Sequence, residues 1–76
     1  MKIRDVYEKE LKVGTGVAFN FSGELRLGSI VEIKPTKRYG KTVNEYTKEP
    51  YVTIHIQHCD SRMVSKITSR KNVVVI

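Results

Sequence analysis

Between Lys34 and Tyr51 the chain reads KPTKRYGKTVNEYTKEPY, with five basic residues and three tyrosines in one stretch. Lys37, Arg38 and Lys41 flank Tyr39, which sets cations able to meet phosphate oxygens beside a ring able to stack on a base. A second basic group, Arg62, Lys66, Arg70 and Lys71, lies among Ser61, Ser65, Thr68 and Ser69. Hydroxyls and turn amides of that kind can share with Arg and Lys in holding phosphate. These seven cations and Tyr39 are the candidate nucleic-acid-binding residues. The competing reading is plainer for each group: a solvated loop whose tyrosines fold back on the domain, and a charged face that keeps a small protein monomeric.

Other reactive residue types are present without the partners that chemistry needs. HIQHCD at 55–60 offers His55, His58, Cys59 and Asp60. On a strand His55 and His58 point to opposite faces, and no second His or Cys group exists to complete a tetrahedron, so no metal is expected. Cys59 beside a histidine has no oriented third group and no cleft, so no nucleophile is assigned. Glu45 and Glu49, four apart in the basic stretch, have nothing around them to move a pKa and are read as relieving repulsion among the lysines. VGTG at 13–16 precedes a strand and not a helix, so it lacks the N-terminus that would hold a phosphate. The chain is read as a non-enzyme with no cofactor.

Seventy-six residues make one small domain, 1–76. A composition of 39% hydrophobic and 29% charged residues is that of a folded protein. The single Cys59 allows no internal disulfide and fits a reducing compartment. No segment reads as a secretion signal or a membrane span, and the chain is placed in the cytoplasm. Net charge is +6 and one-sided: residues 1–33 balance five basic against five acidic side chains, and all the excess lies beyond them. Such a surface concentrates polyanions around itself.

The elements that would position these residues are strands. From Val13 to Phe21 the odd positions are mostly apolar and large and the even ones small or polar, a period of two. SGE at 22–24 turns the chain, and Leu25, Leu27, Val31 and Ile33 are expected to continue the buried face, with a bulge or bend at Gly28. Val52, Ile54 and Ile56 face one way in a third strand, Met63 to Thr68 forms a weaker fourth, and TSRKN suggests a 3₁₀ turn before the closing VVVI. Ile3, Val6, Tyr7 and Leu11 recur at near-helical spacing, which predicts a short helix or turn over residues 1–11. Residues 35–50 are then the connection between strands two and three, longer than most, either a loop or a β-ribbon turning at YGK.

With VGTGVAFNFSG, LRLGSIVEI and ITSRKNVVVI as its core segments, the chain resembles the SH3-like small β-barrels, in the KOW and Tudor-like branch, over about residues 12–76. A free-standing basic barrel of this size also looks like small accessory proteins of tailed bacteriophages. The resemblance implies a five-stranded all-β barrel that binds nucleic acid or protein through loops at one end. Nucleic acid, DNA or RNA, is the leading partner, held mainly by backbone electrostatics. A host protein docked by the same loop or an edge strand is the alternative, and the chain is expected to be a monomer or a weak homodimer.

Overall fold

The computed structural model describes residues 3–76. Its strands are β1 (Ile3–Arg4), β2 (Glu10–Leu11), β3 (Gly16–Phe21), β4 (Glu24–Pro35), β5 (Val52–His58), β6 (Val64–Ile67) and β7 (Val73–Val75), with a 3₁₀ turn at Arg70–Asn72. β3 to β6 form an antiparallel meander, and after the 3₁₀ turn β7 returns to the free side of β3, giving the order β6-β5-β4-β3-β7. The all-β class and the five strands are as the sequence predicts. The sheet is not closed into a barrel, because β6 and β7 are its two edges and do not pair. Val17, Phe19, Ile54, Ile56 and Val73 are nonetheless fully buried on its inner face. A flat single sheet would leave that face wet, so the sheet must curl around the core and take a cover at one end.

Two corrections follow from one turn. Ser22 and Gly23 both have positive φ, 51° and 80°, the two-residue turn whose twist suits a tight hairpin. It sets Phe21 opposite Glu24, so every odd residue of β3 faces an even residue of β4: Phe19 lies across from Arg26 and Val17 from Gly28. Leu25, Leu27 and Val31, expected inside, are therefore exposed, and Ile30 is buried instead. The bulge lies at Val31, between Ile30 and Glu32, and not at Gly28. It restores the parity, so that Ile33 pairs with Ile54 and packs against the core. Gly28 has a different role: a Cβ there would run into the Gln57 carbonyl, and would lie 2.8 Å from Ile56 Cγ2 and 3.1 Å from Phe19 Cε1.

Of the short helix or turn expected over residues 1–11, the described residues form a turn within a hairpin, β1 paired with β2, and no helix, with residues 1–2 outside the described part. Ile3 and Leu11 face each other and join the core, while Val6 and Tyr7 are exposed, so the near-helical spacing was incidental. Asp5 decides the local structure. Its buried carboxylate accepts from the backbone N–H groups of Tyr7 at 2.8 Å, Lys9 at 2.9 Å and Val75 at 3.0 Å. An aspartate that gathers N–H groups of the next few residues favours a turn over a helix. The bond to Val75 also covers the outer side of β7, where the Val73 N–H is already taken by the Arg70 carbonyl. An edge so covered offers little to a passing strand.

Burial pushes the Asp5 carboxyl up, but the N–H groups of Val75, Lys9 and Tyr7 and the nearby Lys9 charge outweigh it, and it titrates below the ordinary 3.8. A carboxyl lowered on folding stabilises the fold in full above its unfolded value, and that contribution is lost as pH falls through the folded one. Urea melts should therefore weaken below pH 4 in the parent, and less steeply in Asp5→Asn. At pH 7 Asp5→Ala, which orphans three backbone donors, should cost about 2–4 kcal/mol. Gly28→Ala should cost about 1–3 kcal/mol by overpacking, whereas Leu27→Ala, on the solvent face, should stay within about 0.5 kcal/mol of the parent.

Candidate functional site

The basic connection is an ordered extension of two stapled turns. Arg38 and Lys41 exchange both backbone hydrogen bonds at 2.9 Å around Tyr39 and Gly40, whose φ values are 54° and 74°. This is a hairpin tip of the same kind as Ser22-Gly23, and it places the turn at YGK as expected. The chain then forms a narrow ribbon, with Val43 opposite Pro50 and the Tyr51 N–H bonded to the Thr42 carbonyl at 2.9 Å. The ribbon ends in a second turn, where the Asn44 side chain accepts from the N–H groups of Tyr46 and Thr47 at 2.8 and 3.1 Å. An ion pair from Lys41 to Glu45 ties the first turn to the second.

This extension leans on the 3₁₀ turn and brings parts of the two basic groups together. Arg38 donates through Nη2 to Thr68 Oγ1 at 3.0 Å, and its guanidinium lies 5.8 Å from the centre of the Tyr51 ring. Arg38, Arg70 and Lys71 line one hollow of about 260 Å³, with Asn44, Thr47, Glu49, Tyr51, Thr68 and Ser69 around it. Residues 36–51 and 68–72 hold six cations, Lys37, Arg38, Lys41, Lys48, Arg70 and Lys71, against Glu45 and Glu49, a local charge of +4 out of +6. Comparisons with protein-family models, curated proteins and solved structures give no match.

The predicted cations differ in how free they are. Lys37, Arg38 and Lys71 have no carboxylate within ion-pair distance among the described residues, whereas Lys41 is held by Glu45. Arg70 is built into the fold: Nη1 donates to the Arg4 carbonyl at 2.7 Å, and Nη2 lies 3.9 Å from Glu49 Oε1. Lys66 stands on β6 across from His55, on the outer sheet face. Arg62 is in the turn between β5 and β6, at the end of the sheet where Arg26 pairs with Glu24 and Asp60. Neither belongs to the hollow. The connection thus joins Arg38 to Arg70 and Lys71 but leaves Arg62 and Lys66 apart.

The Thr68 and Ser69 hydroxyls on the hollow's wall are among those the sequence pointed to, whereas the parts of Asn44, Glu49 and Tyr51 in shaping the hollow were missed. Asn44 carries a local signal, an Asn before polar turn residues. The pairing of Arg38 with Thr68 spans thirty positions and has none. As expected, His55 and His58 face opposite sides. His58 is buried, its Nε2 2.7 Å from Ser65 Oγ and its ring edge-on to Phe19 and Phe21 at centroid distances of 4.9 and 5.0 Å. It is part of the core packing. His55 lies 3.6 Å from a Glu32 oxygen on the outer face.

Free and built-in cations should separate on mutation. Arg70→Ala removes a charged donor to the N-terminal hairpin and should lower stability by about 1–3 kcal/mol in a denaturant melt. Lys71→Ala should melt within about 0.5 kcal/mol of the parent.

Proposed function

We propose that the chain is a small nucleic-acid-binding module that holds the phosphate backbone at the hollow between the 36–51 extension and the 3₁₀ turn. The observation that carries this reading is the convergence of Arg38 and Lys71, from separate basic groups, on one hollow with Thr68 and Ser69 on its wall. Guanidinium, ammonium and hydroxyl groups together are the donors that phosphate oxygens take up. The hollow's volume, about 260 Å³, is below the roughly 300–1,000 Å³ of small-molecule pockets, which suits contact with part of a polymer more than enclosure of a whole ligand. Local charge of +4 at this end of the molecule gives long-range attraction to a polyanion, strongest at low salt.

The five-stranded order β6-β5-β4-β3-β7 with its 3₁₀ turn before the last strand supports a likeness to the SH3-like small barrels. A four-strand meander whose fifth strand returns beside the first, after a 3₁₀ turn, is the path expected of them, and binding through loops at one end would follow. A protein partner is the second reading. It is favoured by an apolar cleft of about 450 Å³ between the N-terminal hairpin, the end of β4 and the extension, lined among others by Leu11, Val13, Ile33 and Val43. That cleft could seat an apolar side chain, but Lys37, Arg38 and Lys71 do not line it.

Counterion release gives the test. Each phosphate contact contributes about 0.9 to the fall of log affinity with log salt on duplex and about 0.7 on single strands. The triple variant Lys37→Ala, Arg38→Ala, Lys71→Ala should lose about 2–3 units of that slope, while Arg62→Ala, at the other end of the sheet, should leave it unchanged. Titrations of labelled oligonucleotides at several salt concentrations measure both. Equal, weak binding of parent and triple variant to every nucleic acid at low salt would overturn the reading in favour of a protein partner.

A further inference from the structure

Two tyrosines of the extension are almost wholly in solvent, Tyr39 at 93% and Tyr46 at 90% exposure. Both are turn residues, and the Lys41–Glu45 pair holds their turns side by side. Tyr39 is also in a conformation that disfavours it, with φ at +54° in a tight turn. Only Gly, and to a lesser degree Asn and Asp, adopt that region readily, so a bulky ring there is an outlier. Backbone strain of this kind concentrates at functional sites. Neither ring contributes to the core, and neither accounts for the fold of its turn, which the backbone bonds of Arg38 and Lys41 and the side chain of Asn44 already explain.

We infer that the nucleic acid taken up by this site is single-stranded, with unpaired bases stacking on Tyr39 and Tyr46 while the backbone follows Arg38 and Lys71. This rests on the nucleic-acid reading above. A duplex keeps its base faces covered by their neighbours and offers an exposed ring little beyond its groove edges and ends. A single strand offers a free face at every base, and stacking there is tolerant of sequence. Arg38, fixed over Tyr51 and bonded to Thr68, supplies a backbone contact that does not move when the bases are engaged. Tyr39 immediately follows it in the chain, so the phosphate contact and the stacking contact are adjacent.

The experiment compares a twelve-nucleotide dT or rU strand with a twelve-base-pair duplex by fluorescence anisotropy, at matched salt and over several salt concentrations. The parent should bind the single strand at least about tenfold tighter. Tyr39→Ala and Tyr46→Ala should each weaken single-strand binding by about 5- to 150-fold, change duplex binding less than about twofold, and leave the salt slope unaltered, since stacking releases few counterions. Tyr39→Asn separates binding from folding: Asn accepts positive φ, so the variant should melt at or above the parent temperature and still lose the single strand. The chain has four tyrosines and no tryptophan, so tyrosine fluorescence should be quenched by the strand in the parent and less in the variants. Duplex binding as tight as single-strand binding, or equal losses on both in the tyrosine variants, would overturn the inference and leave the nucleic-acid reading standing. No binding to either would overturn both.

Discussion

The Asp5 carboxylate is the interaction on which the arrangement of the molecule depends. It accepts from Tyr7 and Lys9, which shapes the N-terminal hairpin, and from Val75, which fastens that hairpin to the last strand seventy positions away. Arg70 works from the other side of the same junction, donating to the carbonyls of Arg4 and Asp5 while its second nitrogen faces Glu49 of the extension. The start of the chain, its last turn and its long connection therefore meet at one point. A small sheet with two open edges has little core to spare, and this junction converts one of those edges into a covered surface. It also lets Ile3 and Leu11 close the core from outside the sheet.

Much of this fold was legible because strands with one buried face announce themselves. β3 and β5 carry period-two patterns that survive translation into structure, and TSRKN did form the 3₁₀ turn before VVVI. The errors arose where a local pattern was extended past a point that resets it. A two-residue turn reverses which parity faces inward, so the apolar series could not run on from Phe21 to Leu25 and Leu27. The bulge at Val31 reversed it again, which is why Ile33 was placed correctly for the wrong reason. At the N-terminus four apolar residues at near-helical spacing set the reading, and Asp5 had no part in it. Three hydrogen bonds to that aspartate outweighed the spacing in the molecule. Barrel closure was not legible at all, since whether two edge strands meet depends on the summed twist and curl of the sheet.

The site divides along the same line. Its raw materials, Lys37, Arg38, Tyr39 and Lys41 on a long connection, were visible as composition, and the turn at Tyr39-Gly40 was visible as a Gly-containing tip. Which cations remain free was not. Lys41 is taken by Glu45, four residues on, a pairing that spacing allows without requiring. Arg70 is taken by carbonyls sixty-five and sixty-six positions away, which no local signal marks. Basic residues near one another in sequence thus served two purposes, holding the chain together and leaving charge exposed, and only the fold distinguishes them.

The distribution of what is left gives the molecule a direction. At the end carrying the β3–β4 and β5–β6 turns, Arg26 is pinned between Glu24 and Asp60, and with Arg62 these four charges cancel. At the other end six cations face two carboxylates, and the body is elongated, 36 by 22 by 22 Å, so the two ends are separated by more than a Debye length at physiological salt. A polyanion approaching the neutral end is barely attracted. One approaching the extension meets a net +4 on a surface where Thr68 holds the Arg38 guanidinium and hydrogen bonds fix the turns that carry Tyr39 and Tyr46. The cost of that order is met in folding and not in binding, which is the physical advantage of building such a surface on a stapled ribbon in place of a slack loop.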